Sequence, residues 1–280
     1  MSRALDRLNH RFPRKRAFIT GAASGLGLAL ARLLSANGWT VGLFDRDEGR
    51  LSQVDSELSG SAVAYPGDVT HADELTVAVN SFAATYGGLD VMINNAGVAA
   101  AGTVMETELA DWQWVLDINF IGVLNGARAA IPHLQLGRKG LIVNVASAAA
   151  FAAVPGMGSY NASKAAVLAL SETLYGELQP SGIQVSVVMP TFFKTELLES
   201  MRGPSSSQAT AARLMEASAY SADEVARDLL AYAARGRLHI VLPRSARWLW
   251  RVKRWAPKLY LNTVNRIRLR MQAREGDPSS

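Results

Sequence analysis

The 280 residues are 49% hydrophobic and 19% charged, include no cysteine and carry a formal net charge of +5. That composition supports a sizeable buried core and excludes disulfide frameworks, thiol nucleophiles and thiolate metal sites. No run of about 18 apolar residues occurs, so no membrane-spanning helix is expected, and the positive charge is local: residues 244–280 hold ten Lys or Arg against two Asp or Glu, the rest of the chain 19 against 22.

The opening MSRALDRLNHRFPRKR is basic and lacks an apolar signal core; a transit peptide is a secondary reading of its composition alone. Short apolar runs predict strands at 16–20, 40–44, 62–65, 89–94, 140–146, 183–189 and 238–242. Amphipathic stretches near 25–37, 47–59, 71–86, 108–136, 157–180 and 221–235 predict helices between them. Strands apolar at nearly every position are buried on both faces, and strand–helix alternation implies parallel βαβ units with right-handed crossovers. The expected fold is α/β: a Rossmann-like, doubly wound, mostly seven-stranded parallel sheet with helices on both faces. One dinucleotide-binding and catalytic domain is expected over 1–243, with a substrate loop at about 191–220, followed by a basic amphipathic extension over 244–280. Within the substrate loop, RGPSSSQAT (202–210) reads as flexible, and Ser205–Ser207 as part of a mobile lid.

The first strand runs into TGAASGLG (20–27), where Gly21, Gly25 and Gly27 bridge strand and helix. Glycine there lets the backbone turn tightly and approach a pyrophosphate whose charge sits at the helix N-terminus. The spacing is G-x-x-x-G-x-G, and an ordinary strand-to-helix turn is the competing reading. The second strand ends at Asp45 and Arg46. A carboxylate at that position accepts hydrogen bonds from a ribose hydroxyl and repels a 2′-phosphate, which favours NAD. Arg46 could instead pair with that phosphate, leaving NADP open, and Asp45 could serve only as a helix N-cap. GDV (67–69), with Asp68 and Val69, and NNAG (94–97), with Asn95, Ala96 and Gly97, follow the third and fourth strands. Ligands bind at such carboxyl ends in open sheets, and Asp68 could receive an adenine amino group. Plain turn roles compete at each.

Tyr160 and Lys164, at i and i+4, share one face of a helix. A phenol is a poor base near neutrality; an adjacent ammonium stabilises its phenolate and lowers its pKa. Ser147, at the end of the fifth strand, can hold a substrate oxygen while Tyr160 transfers the proton. Asn119 lies among apolar neighbours in DINFIGVLNG (117–126) and needs a partner there; it could break the helix locally and anchor a water leading protons from Lys164. Each residue alone has an ordinary packing role, but their conjunction behind a nucleotide turn points to chemistry.

Here the chain resembles the short-chain dehydrogenase/reductase family, over about residues 14–243, through TGAASGLG, Asp45, GDV, NNAG, Asn119, Ser147, YNASK and MPTFFKTEL. The resemblance implies a catalytic tetrad of Asn119, Ser147, Tyr160 and Lys164. It also implies a dinucleotide surrounded by Gly21, Ser24, Gly25, Leu26, Gly27, Asp45, Arg46, Asp68, Val69, Asn95, Ala96, Gly97, Tyr160, Lys164, Pro190, Phe193 and Thr195. Thr191 departs from the family, which usually follows the proline with glycine. No metal is expected. Dimers or tetramers of the chain are implied.

Phe192, Phe193, Leu197, Leu198, Met201, Leu214 and Met215, with 148–154 and 98–101, offer apolar or small walls without an arginine cluster. They fit an apolar alcohol or ketone of fatty, steroid-like, terpenoid or aryl character, or else merely pack the loop. In the tail, Trp248, Leu249, Val252 and Trp255, then Tyr260, Val264, Ile267 and Met271, recur at helical spacing opposite Arg and Lys. Such a helix can lie in a membrane interface. Packing on the body, an oligomer contact and nucleic-acid binding compete, the last without any accompanying module. The expected protein is an NAD(H)-preferring, cytoplasmic oxidoreductase, peripheral at a membrane if the tail binds one. An NADPH-dependent carbonyl reductase and a nucleotide-sensing protein without turnover are the alternatives.

Overall fold

The structure is a computed structural model that describes residues 3–58 and 60–275, with side chains over 5–58 and 60–266. Seven parallel strands form one sheet in the order β3-β2-β1-β4-β5-β6-β7. They are β1 (Arg16–Thr20), β2 (Thr40–Asp45), β3 (Ala62–Pro66), β4 (Val91–Asn94), β5 (Gly140–Val145), β6 (Ile183–Pro190) and β7 (His239–Leu242). The helices, in chain order, are α1 (Arg3–Arg11), α2 (Gly25–Ser35), α3 (Glu48–Glu57), α4 (Ala72–Tyr86), α5 (Leu109–Leu116) and α6 (Gly122–Leu136). They continue with α7 (Ala149–Ala152), α8 (Gly158–Leu178), α9 (Ser205–Glu216), α10 (Ala222–Ala233), α11 (Arg247–Trp255) and α12 (Pro257–Glu275).

The pleat explains the unbroken apolar strands. In β1, Ala17 and Ile19 face a core shared with α1, α2 and α10, whereas Phe18 faces the opposite core with Val79 and Phe82 of α4 and Ala130 of α6. Both faces are covered, so neither can be polar. Strand order reverses at β1, which pairs with β2 on one side and β4 on the other. A crevice therefore opens beyond the carboxyl ends of these strands.

Polar ties fix the layers that carry the site. Arg16 and Asp90 form a buried fork, with Nε donating to Oδ2 at 3.0 Å and Nη2 to Oδ1 at 2.8 Å, which joins β1 to the residue preceding β4. Asn94 donates to Asn144 at 2.8 Å, and Asn144 donates to the Ser171 hydroxyl at 3.0 Å, linking β4, β5 and α8 inside the core. The array cross-links three elements, although the Asn94 Oδ1 is buried without a partner among the described residues.

Three segments depart from the sequence expectations. The basic start forms α1, with Leu5, Leu8 and Phe12 buried in the main core, and Asn9 Oδ1 accepting from the Trp39 indole at 2.8 Å. The stretch 202–210, expected as a flexible loop, enters α9 at Ser205 with Pro204 at the N-cap; the helix-forming run ATAARLME outweighs the preceding Gly-Pro-Ser signal. Ser205–Ser207 thus lie in a helical first turn, and Leu214 points outward. The tail forms the expected helices, but its stripe divides: Leu249 packs beside Phe151 and Ala246, while Trp248 and Trp255 are 60% and 89% exposed. The side chains of Ile267 and Met271 lie outside the described residues. Among the described residues, no helix is long and apolar enough to cross a membrane.

Candidate active site

The crevice is built from the ends of β1 and β4. Gly21 follows β1 with φ +65°, and a Cβ there would stand 2.7 Å from the Ala96 Cα. Only glycine permits both the conformation and the approach. Gly27 sits behind the wall, where a Cβ would collide with the Gly21 carbonyl oxygen. Asn95 holds the two loops together: its Nδ2 donates to the carbonyls of Thr20 and Gly21, each at 3.0 Å. Ser24 N-caps α2 without a side-chain hydrogen bond, so the first-turn N–H groups remain available to an anion.

At the end of β2, Asp45 accepts from the Ala23 N–H at 3.0 Å and the Asp47 N–H at 3.1 Å. The N-cap of α3 is Asp47, which accepts from Arg50 N–H at 2.9 Å, so the capping role considered for Asp45 belongs to its neighbour. Arg46 is exposed at the rim. Asp68 Oδ1 accepts from both the N–H and the hydroxyl of Thr70 at 2.8 Å, a local turn that fixes the carboxylate at the cleft wall.

Tyr160 and Lys164 lie near the start of α8, both buried. Lys164 Nζ donates to the Val145 carbonyl at 3.0 Å and stands 5.8 Å from the centroid of the Tyr160 ring. Burial depresses the ammonium to about 8. Burial also raises the Tyr160 phenol, offset in part by its hydrogen bond with Ser147. The phenol is therefore shifted upward rather than acidified, because loss of hydration outweighs the interaction with Ser147. Ser147 Oγ also accepts from the Ala149 N–H at 3.2 Å.

Asn119 lies in a single π-helical turn, Asp117–Ile121, between α5 and α6. Such turns interrupt the regular helix ladder and recur at functional sites. Its side chain is fully buried: Oδ1 accepts from Val98 N–H, and Nδ2 donates to the Val98 carbonyl and the Ser163 hydroxyl. The amide's hydrogen bonds run to protein partners on the loop after β4 and on α8.

These groups surround one cleft of about 580 Å³. Every candidate cofactor residue except Gly27 borders it, as do Ser147, Tyr160 and Lys164; Asn119 stands behind it. The family description "short chain dehydrogenase" matches residues 15–206. The chain belongs to the short-chain dehydrogenase/reductase family, and its enzyme class is oxidoreductase.

Relatives in this family agree with the architecture. The chain is 34% identical over 185 residues to a 3-alpha-(or 20-beta)-hydroxysteroid dehydrogenase of Mycobacterium tuberculosis (strain ATCC 25618 / H37Rv), covering 66% of this chain and 71% of the other. It is 34% identical over 184 residues to an uncharacterized oxidoreductase of Staphylococcus aureus (strain USA300), covering 65% and 80%. A Burkholderia phymatum short-chain dehydrogenase/reductase solved in complex with NAD superposes with a TM-score of 0.82 at 29% identity, covering 88% and 94%. A Brucella melitensis 3-ketoacyl-(acyl-carrier-protein) reductase complexed with NADH gives 0.73 at 26%, covering 81% and 96%.

Of the apolar residues expected to face substrate, Phe192, Phe193, Leu197, Leu198, Met201 and Met215 border this cleft, but Leu214 does not. Thr191, where the family usually has glycine, borders the cleft and donates its N–H to the Leu242 carbonyl at 2.8 Å. Sequence reasoning missed Arg50, which also borders the cleft and pairs with Glu199 at 2.9 Å, and the arrival of Leu249 and Tyr260 from the tail. The tail's helical spacing was visible; its tertiary destination had no local signal.

Proposed function

We propose that this dehydrogenase interconverts an apolar secondary alcohol and its ketone with NAD(H), using Tyr160 as general acid and base. The observation that carries this is the opening of Tyr160 and Ser147 onto the same cleft as the glycine turn, with Lys164 buried beside them. The narrow approach at Gly21 and the uncapped N-terminus of α2 fit a dinucleotide pyrophosphate. When bound, a nicotinamide dinucleotide supplies the hydride acceptor or donor.

The chain's own groups handle the rest. Ser147 Oγ holds the substrate oxygen. Tyr160 gives its proton to that oxygen during reduction and removes it during oxidation. A phenol raised by burial stays protonated near neutrality and is ready to act as the acid. Lys164 hydrogen-bonds the cofactor ribose and exchanges a proton near pH 8. Asn119 acts as a positioning residue, since its contacts run to Val98 and Ser163.

Asp45 at the ribose position favours NAD. Exposed Arg46 beside it supports the second reading, an NADPH-dependent carbonyl reductase. No observation favours a nucleotide sensor without turnover. The apolar substrate end and the hydroxysteroid name of a relative support a lipid-, steroid- or aryl-like compound.

The catalytic unit over 1–243 works as a homodimer or homotetramer in the cytoplasm, with 244–280 as an extension. Exposed Trp248 and Trp255 among Arg251, Arg254 and Lys258 support a peripheral membrane contact by that extension. A panel of hydrophobic secondary alcohols offered with NAD and with NADP, followed by absorbance of the reduced cofactor, tests the reading. NAD-dependent turnover is expected; a panel silent with both cofactors would overturn it.

A further inference from the structure

The C-terminal extension lies beyond the matched family region of 15–206, yet it reaches the cleft through Leu249 of α11 and Tyr260 of α12. Leu249 packs with Phe151 of α7, four residues beyond Ser147, so the extension lies against the segment that follows a candidate reacting group. Tyr260 is 6% exposed, its N–H donates to the Ala256 carbonyl at 3.0 Å, and Lys253 Nζ stands 5.6 Å from its ring centroid. These contacts hold the ring in place. Its hydroxyl takes no hydrogen bond among the described residues, and it is not one of the sealed polar atoms that lack a partner. It therefore keeps access to open space beside a cleft that the ring itself borders.

We propose that Tyr260 is a specificity-determining residue whose hydroxyl receives a second oxygen of an apolar substrate, distinct from the oxygen on the reacting carbon. The inference rests on the reading of the cleft as an alcohol–ketone site. It narrows the substrate to an extended or fused-ring apolar compound with two oxygens. Once bound substrate shields this hydroxyl from solvent, a compound lacking the matching group leaves it unpaired.

Two fused-ring ketones of one skeleton test this, one bearing an added hydroxyl and one without it. Calorimetric titration of each into the enzyme with NAD, the pairing that cannot react, gives the ratio of their Kd values, and kcat/KM with NADH gives the ratio in turnover. The wild type is expected to prefer the hydroxylated ketone. Tyr260→Phe is expected to shrink that preference by about threefold to tenfold, the worth of one hydrogen bond. Leu249→Ala is expected to weaken both ketones alike and keep the ratio. An unchanged ratio in Tyr260→Phe, an equal loss for both ketones, or binding of neither ketone to the wild type would overturn the proposal. A ratio that shifts in binding while turnover is absent would uphold Tyr260 and sink the enzymatic reading instead.

Discussion

Asn119 clasps the main chain of Val98 in both directions, accepting from its N–H at 2.8 Å and donating to its carbonyl at 2.9 Å. The adjacent Gly97 has room for little else: a Cβ there would stand 3.1 Å from Asn119 Oδ1 and 3.3 Å from Lys164 Nζ. The π-helical turn thus sets the loop after β4 against the buried lysine. Asn119→Ala would strand two buried main-chain groups, each worth about 1–3 kcal/mol. A loss of roughly 2–5 kcal/mol in urea unfolding is expected, together with weaker cofactor binding as the Gly97 loop loses its anchor. Wild-type stability in this variant would show that the clasp does not hold the loop.

The depressed lysine has a kinetic signature. An ordinary lysine stays charged well above pH 9, but Lys164 gives up its proton near 8. Ketone reduction that needs its ammonium should therefore fall as pH rises through about 8, while the raised Tyr160 phenol remains protonated. Lys164→Arg should lack this inflection, because guanidinium does not titrate there. The measurement is kcat/KM for reduction from pH 6 upward; a profile flat through 8–9.5 in the wild type, or an unmoved inflection in the arginine variant, would assign the transition elsewhere.

The same lysine enters the stability of the fold. Its folded-state pKa is lowered, so between about 8 and 10.5 the unfolded chain binds more protons than the native one. From this group, stability rises with pH across that window. Lys164→Met, which cannot titrate, should remove the rise; urea unfolding at pH 7.5 and 9.5 compares the two proteins, and an identical pH response in both would contradict the assignment.

The N-terminal helix should contribute to stability rather than act as a detachable leader. Leu8 is fully buried in the main core. Leu8→Ala is expected to cost about 2–5 kcal/mol, as large-to-small changes in cores do. Chemical denaturation would report it, and a change below about 0.5 kcal/mol, typical of surface sites, would place α1 outside the cooperative unit.

Much of this architecture was legible because the strands are buried on both faces and so read as continuous apolar runs, β5 and β6 most clearly. The glycine turn, Asp45 and the Tyr160–Lys164 pair were legible from spacing, since each depends on local backbone geometry. Helix α1 was not, because Leu5, Leu8 and Phe12 are scattered among Arg and Asp and their apolar partner, α10, lies more than 200 residues away in the chain. Pro204 and the serines after it favoured a loop, although proline is compatible with a helix start. The direction of the Tyr160 shift was missed for another reason: the spacing to Lys164 is visible in a sequence, whereas the depth of burial that raises the phenol is not.

The central claim is that Tyr160 moves the proton. The most direct measurement compares Tyr160→Phe with the wild type in single-turnover oxidation of an alcohol that the wild type accepts, alongside the Kd for NADH. Loss of the hydroxyl should slow the chemical step by about a hundredfold to ten-thousandfold and leave the cofactor Kd within about threefold. A chemical step that proceeds at the wild-type rate in the phenylalanine variant would contradict the account.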